Sequence, residues 1–192
     1  MADDIFLQCV SRAETTRDMT TFSFRIAGGA PEFSTGPEAS DDSHTFAFAP
    51  GQFLSLSVEI DGRPIQRCYS ISSPPTRPGT LSITVKRVNG GYVSNWLHDN
   101  MVEGMMIAAT GPLGRFTYTA RPAEKYLFIS AGSGITPVMS MLRSVTDSEL
   151  PLDITFVHSA RSVDDIPFQE ELEDLARSHT NVTLAFAATR MV

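Results

Sequence analysis

The chain has 192 residues, 42% of them hydrophobic and 19% charged, which suffices to bury one large domain or two modest ones and argues against bulk disorder. Its formal net charge of −7 gives it no electrostatic reason to seek nucleic acid or an anionic membrane. No apolar stretch approaches the ~18 residues of a membrane helix, and the acidic start MADDIFLQCV lacks the basic flank and apolar run of a signal peptide, so the chain reads as cytoplasmic.

Two cysteines are present, Cys9 and Cys68, with no Cys-x-x-Cys and no histidine near either at metal-ligand spacing. An iron–sulfur cluster needs four such ligands and cannot be housed in these residues alone. They read as two reduced thiols, and no metal site is expected.

The first 120 residues read mostly as strands. In 53–60, FLSLSVEI, Leu54, Leu56, Val58 and Ile60 share one face, and in 81–86, LSITVK, Leu81, Ile83 and Val85 do the same. Such period-two alternation marks half-buried strands. Pro50-Gly51, Asp61-Gly62, Pro74-Pro75 and Pro78-Gly79 punctuate them, and short strands with regular turns predict a small all-β antiparallel barrel. Residues 27–45, rich in Gly, Ser, Pro and acid, read as an inserted surface loop.

Within this half, Arg67-Cys68-Tyr69-Ser70 enters a strand, where Arg67 and Tyr69 share a face. A guanidinium beside an aromatic ring suits a ligand with phosphate at one end and a flat ring system at the other, and the Ser70 hydroxyl can donate to a ring nitrogen. Taken alone, the segment equally describes an exposed Arg and a half-buried Tyr on an ordinary strand. The run Gly90-Gly91-Tyr92-Val93-Ser94-Asn95-Trp96-Leu97 reads as a Gly turn opening a short helix, with Ser94 as its N-cap and Trp96 and Leu97 inward. Helix N-termini attract phosphate, although a hairpin end with an ordinary cap has the same sequence. Gly111-Pro112-Leu113-Gly114-Arg115-Phe116 says only that a strand ends in a sharp turn.

The pattern changes after Pro122. Residues 126–130, YLFIS, form a continuous apolar run, as expected of a strand buried on both faces. Ala131-Gly132-Ser133-Gly134-Ile135-Thr136-Pro137 follows, with Thr136 as a plausible N-cap and Pro137 at the first helical position. It differs from G-x-G-x-x-G in carrying Pro137 at the third glycine, and it lacks the Gly-Lys-Ser/Thr of a P-loop. Helix 138–145, strand 152–157, an amphipathic helix 168–177 with Phe168, Leu172 and Leu175 on one face, and strand 182–187 complete a parallel α/β pattern.

In this order the four motifs resemble the ferredoxin–NADP reductase superfamily. That family carries Arg-x-Tyr-Ser on a barrel strand, then Gly-x-x-Ser, then Gly-Pro-x-Gly-x-Phe, then a Gly-x-Gly-x-x-Pro turn. Pro50-Gly51-Gln52-Phe53 and the segment 161–172, RSVDDIPFQEEL, also match, and the likeness spans nearly the whole chain. Within the superfamily the chain looks nearest to reductases that feed iron–sulfur centres, such as those of Rieske-type oxygenases and hybrid-cluster proteins.

The resemblance implies an all-β flavin domain over residues 1–122 and a doubly wound nicotinamide domain from 123. It implies a flavin-dependent oxidoreductase that passes a hydride from NADH or NADPH to FAD and single electrons to an iron–sulfur or oxygenase acceptor. Any [2Fe-2S] centre would lie in a downstream domain or a partner; a non-catalytic flavin-binding subunit is the competing reading. Tyr69 would stack on the flavin ring and Ser70 approach its N5. Arg67, Gly91 and Ser94 would hold the phosphates, with Lys86, Val88 and Val93 alongside. Gly132, Gly134, Thr136 and Pro137 would shape the nicotinamide pocket, and Thr110 and Gly111 lie where the family closes over it. Arg161 is a candidate for the adenosine ribose or its phosphate, or for an ordinary surface ion pair. The family's Cys-Gly-Pro is absent, and three parallel strands stand where a doubly wound order needs five. The nicotinamide sheet is therefore expected to be incomplete, in a piece of a longer protein, with one edge of strand 126–130 open.

Overall fold

The computed structural model describes residues 4–29 and 46–189, so most of the predicted 27–45 loop lies outside the described residues. Six antiparallel strands form the first half: β1 (Asp4–Thr16), β2 (Met19–Gly29), β3 (Phe53–Ile60), β4 (Arg63–Ser70), β5 (Leu81–Lys86) and β6 (Met106–Leu113). Their order is β4-β3-β6-β1-β2-β5, and the bridge between Ile71 and Ile83 brings the two ends together. Ser72 reinforces this closure, donating its N–H to the Ser82 carbonyl at 2.7 Å. The alternation in β3 holds, with Leu54, Leu56 and Val58 buried. With Leu7, Phe22, Phe24 and Ile83 they fill the barrel, and each such side chain contributes ~1.5–3 kcal/mol by leaving water.

Helix α1 (Tyr92–Asn100) starts three residues earlier than Ser94 would place it, and Gly91 occupies the N-cap. Ser94 lies inside the first turn, where its Oγ accepts the Val88 N–H at 3.3 Å. A serine can satisfy the backbone from either position. Leu97 is buried in the barrel, whereas Trp96 packs there only in part. His98 fastens the helix: its Nε2 lies 2.9 Å from the Val85 carbonyl and its Nδ1 3.3 Å from Thr20 Oγ1. The carbonyl can only accept, so Nε2 carries the proton and Thr20 donates to Nδ1.

The second half alternates strand and helix: β7 (Lys125–Ala131), α2 (Ile135–Asp147), β8 (Asp153–Ala160), α3 (Gln169–Ser178) and β9 (Val182–Ala188). The strands run parallel in the order β7-β8-β9, with Phe128 beside Phe156 and Phe156 beside Leu184. Strand β7 pairs with β8 alone among the described residues, so its other edge is open, as expected. Its burial differs from expectation: Phe128 is 7% exposed, but Leu127 and Ile129 are 60% and 66% exposed. The apolar sides of both helices pack with Phe128, Phe156 and Leu184, on one side of the sheet, and Leu127 and Ile129 point to the other. Helix α2 begins at Ile135 behind a one-turn 3-10 segment, with Gly134 at the N-cap. Thr136, expected there, instead donates its hydroxyl to the Ser133 carbonyl at 3.1 Å. Pro137 falls at the third helical residue, where the missing N–H costs nothing because first-turn amides have no intrahelical acceptor.

The two halves meet along one stripe of α2. Thr136, Ser140, Arg143 and Asp147 recur at i, i+4, i+7 and i+11 and so share a face. Ser140 Oγ donates to the Ser73 carbonyl at 2.7 Å, and Arg143 Nη1 to the Ser72 carbonyl at 2.6 Å. Asp147 accepts Arg77 bidentately at 2.8 and 2.7 Å, and Thr76 Oγ1 at 2.6 Å. Gly51 lies at the same seam: at φ +100° a Cβ there would stand 2.1 Å from the Phe116 carbonyl oxygen.

His158 on β8 makes the fold acid-sensitive. It is fully buried, its Nδ1 lies 2.9 Å from Ser130 Oγ, and its Nε2 has no partner among the described residues. Burial pushes its pKa down to about 4. Below the unfolded value near 6.5, only the unfolded chain takes up this proton, so stability falls with pH across that window, by ~2 kcal/mol from pH 6.5 to 5. Urea unfolding of the native chain and of His158→Gln at both pH values should show that loss in the native chain and a smaller one in the variant. Equal losses would refute the assignment.

Candidate functional site

Strand β4 is hydrogen-bonded to β3 on one side only, and beyond its end the chain meets β5 at the single Ile71–Ile83 bridge. Along this open edge runs a cleft of about 480 Å³. Its walls bring together three segments far apart in sequence. Arg67, Cys68, Tyr69 and Ser70 come from β4; Gly91, Tyr92, Val93 and Ser94 from the start of α1; Ser133, Gly134, Thr136 and Pro137 from the turn into α2. Thr84, Lys86 and Val88 from β5 and its extension complete it.

Each wall has a local cause. Tyr69 packs against the barrel core, and desolvation pushes its phenol up to about 12, partly offset by Arg67. It is therefore a neutral ring and hydrogen-bond donor at any ordinary pH. Arg67 is exposed, and Nη1 donates to the Gln66 carbonyl at 2.7 Å, which leaves further donors for a ligand. Gly91 has an unstrained φ of −75°, yet a Cβ there would lie 2.5 Å from Ser94 Oγ and 3.0 Å from Val88 Cβ. Only glycine lets Ser94 hold the Val88 amide while the turn stays this tight. The first amides of α1 have no intrahelical acceptor, which with Arg67 makes a seat for phosphate. At Gly134 a Cβ would meet nothing within 4 Å, so the absence of a side chain leaves the cleft open to a bound group.

Gly132 and Arg161 lie outside this cleft. They line a second cavity of about 420 Å³ at the carboxyl ends of β7 and β8, with Lys86 and Ser133 shared between the two. Two ion pairs bound it: Lys86 with Asp18 at 3.1 Å and Arg17 with Asp165 at 2.9 Å. Thr110 and Gly111 are not brought to either cavity. They sit on β6 opposite β3, where Thr110 pairs with Ser55 and a Cβ on Gly111 would come 2.7 Å from Leu54 Cδ2. This glycine serves the packing of the barrel. The sequence reading passed over Cys68, Thr84, Tyr92 and Ser133 as wall residues. Thr84 was legible as the outward partner of Ile83 and Val85, and Tyr92 stood in the Gly-Gly-Tyr-Val-Ser run. Among the described residues no group of His, Cys, Asp or Glu could hold a metal, and no helix is long and apolar enough to cross a membrane.

Residues 38–118 match the oxidoreductase FAD-binding domain family and residues 128–191 the oxidoreductase NAD-binding domain family. This chain carries ferredoxin reductase-type FAD- and NAD-binding domains. It is 45% identical over 184 residues to the glycine betaine monooxygenase reductase subunit of Pseudomonas aeruginosa, covering 96% of this chain and 46% of that protein. The chain thus spans about half the length of that relative. Its fold is similar to the flavohem-like FAD/NAD-binding domain of nitric oxide dioxygenase from Vibrio cholerae, with TM-score 0.83, 22% identity, and 99% and 76% of the two chains covered. It is also similar to phthalate dioxygenase reductase, a modular structure for electron transfer from pyridine nucleotides to [2Fe-2S], with TM-score 0.75, 21% identity, and 97% and 53% covered.

The cleft residues fit FAD: a ring surface at Tyr69, a phosphate seat at Arg67 and α1, and a side-chain-free approach at Gly134. Arg67→Ala should raise the dissociation constant for FAD by ~10- to 100-fold, as expected for one charge-assisted contact worth ~1.5–3 kcal/mol. Flavin per chain after gel filtration, with a fluorescence titration of the apoprotein, checks this. Equal occupancy at equal dilution would remove Arg67 from the site.

Proposed function

We propose that the chain is the flavin- and nicotinamide-binding part of a cytoplasmic NAD(P)H-dependent reductase. In this reading a hydride passes from NADH or NADPH to FAD, and electrons leave singly for an iron–sulfur acceptor in a downstream domain or a partner such as an oxygenase. One observation carries it: residues 67–70, residues 91–94 and Ser133, Gly134, Thr136 and Pro137 form the walls of a single cleft. The relative at 45% identity, named as the reductase subunit of a monooxygenase, supports the class of acceptor.

Bound FAD supplies the conversion between a two-electron hydride and single electrons; the protein supplies position and electrostatics. Tyr69 offers a flat, neutral face for the flavin ring. Ser70 ends β4 at the cleft, where its hydroxyl can donate to a ring nitrogen. Arg67, Gly91, Ser94 and the first amides of α1 hold the phosphates, and Lys86, Val88 and Val93 wall that passage. Gly134, Thr136 and Pro137 admit the nicotinamide from the opposite side. Gly132 and Arg161, in the adjoining cavity, take the adenosine end of the nicotinamide cofactor. Thr110 and Gly111 drop out of the ligand-binding set and keep a structural part. The flavin unit ends and the nicotinamide unit begins near Pro122.

Ser70→Ala should keep most of its flavin and slow flavin reduction by NADH or NADPH ~10- to 100-fold, the scale of removing one donor aimed at a reacting centre. Single-turnover stopped-flow at the flavin absorbance decides it. An unchanged rate would remove Ser70 from the hydride step. A native protein whose bound flavin neither nicotinamide bleaches would instead point to a non-catalytic flavin-binding subunit.

A further inference from the structure

The second cavity lies between the two halves of the chain. Asp18 and Lys86 form its barrel side; Gly132, Ser133, Arg161 and Asp165 form its nicotinamide side. One ion pair ties those sides together: Arg17 Nη2 lies 2.9 Å from Asp165 Oδ1 and donates to Oδ2 at 3.2 Å. Both of its ends are anchored. Arg17 and Asp18 form the two-residue turn between β1 and β2, closed by the pairing of Thr16 with Met19. The Asp18 carbonyl accepts the Arg87 N–H at 2.7 Å, its Oδ1 the Thr16 hydroxyl at 3.1 Å, and its Oδ2 the Lys86 ammonium at 3.1 Å. The turn is thus pinned to β5 and its extension. Across the cavity, Asp165 ends the one-turn 3-10 segment Val163–Asp165 and accepts the Ser162 hydroxyl at 2.9 Å, with only 10% of its side chain exposed.

The joint between these anchors is the weak part. The Arg17 side chain is 71% exposed, which puts the joint on the solvent side, and it reaches Asp165 through one nitrogen. An exposed pair of this kind shifts an equilibrium by no more than about fivefold, and salt screens it. The tie along α2 is of another kind: Arg143 is nearly buried and meets the Ser72 carbonyl and the Glu171 carboxylate with three nitrogens. The halves are therefore held firmly along α2 and lightly across the cavity. The adenosine end of the nicotinamide cofactor, which the functional reading seats in this cavity, has to pass between the two walls. We propose that the Arg17–Asp165 pair is a strap over the cavity. It opens to admit the dinucleotide and closes behind it, so it sets the speed of entry and exit rather than the affinity. The proposal rests on the nicotinamide reading of the cavity and adds the device that gates it.

The test is kinetic. FAD-loaded native protein, Arg17→Gln and Arg17→Lys are mixed in a stopped-flow instrument with NAD+ and, separately, with NADP+, following the change in flavin absorbance on binding. The oxidised dinucleotides bind without reducing the flavin. Arg17→Gln removes the strap and none of the residues that line the cavity. It should speed association and dissociation alike, about two- to fivefold, and leave the Kd within about twofold of the native value. Arg17→Lys can make the same single contact and should keep the native rates. Added salt should speed dissociation more in the native chain than in Arg17→Gln. Unchanged rates in Arg17→Gln overturn the proposal. A change confined to one of the two rates also overturns it, because Arg17 would then touch the ligand itself. Native protein that binds neither dinucleotide would overturn the functional reading on which the strap rests, an outcome distinct from either of these.

Discussion

The guanidinium of Arg143 is the contact on which the rest of the arrangement depends. It is nearly buried, and every one of its nitrogens has work: Nη1 donates to the Ser72 carbonyl on the barrel, and Nε and Nη2 grip Glu171 on α3 at 2.7 and 2.5 Å. Its flat face lies 4.7 Å from the centre of the Phe168 ring. A planar, always-charged group with a fixed fork of donors can meet a carbonyl, a carboxylate and an aromatic face at once; a lysine could not. Ser72 is equally doubly used. Its N–H closes the barrel onto β5, its hydroxyl bonds Thr84, and its carbonyl takes Arg143. The point at which the barrel closes is thus also the point at which α2 is docked.

That docking sets the functional geometry through simple distances. Ser72 is two residues beyond Ser70. Arg143 is nine residues beyond Gly134, which on an α-helix is roughly 13 Å of rise. Fixing one end of α2 on the 72–77 segment therefore aims its other end, with Gly134, Thr136 and Pro137, back at the open edge of β4. An open edge is ordinarily an aggregation hazard. Here α1 and the α2 turn flank it and turn it into the wall of a cleft. The hydride transfer proposed for this cleft would tolerate little error in such an arrangement, so a rigid clamp outside the reacting region would have a direct chemical consequence.

Much of this was legible in the residues. The barrel could be read because β3 and β5 alternate strictly, and the parallel half because its strands and amphipathic helices follow the α/β pattern. The four motifs could be assigned in order because each forces a turn or presents a charge. What escaped had physical reasons. Ser94 and Thr136 looked like N-caps, yet a glycine two or three residues earlier can start a helix without a side-chain cap. The YLFIS run looked buried on both faces, but α2 and α3 pack on the same side of the sheet. Thr110 and Gly111 follow from family pattern alone, and the pattern does not show that β6 holds them against β3. The seam between the halves was missed although its stripe was present: Thr136, Ser140, Arg143 and Asp147 recur at helical spacing on a helix whose apolar face faces the sheet. A polar stripe on a helix that also carries an apolar face signals a second surface to be packed.

In the proposed reaction this clamp, though remote from the reacting atoms, keeps the nicotinamide side of the cleft in line with the flavin side. Stopped-flow reduction of bound flavin in Arg143→Met, compared with flavin content of the same preparation, tests it most directly. Flavin content should stay near native, since the proposed phosphate seat lies in Arg67 and α1, while reduction by NADH or NADPH should slow on the order of a hundredfold, the cost of a displacement of about 1 Å. A variant that keeps its flavin and is reduced at the native rate would contradict it.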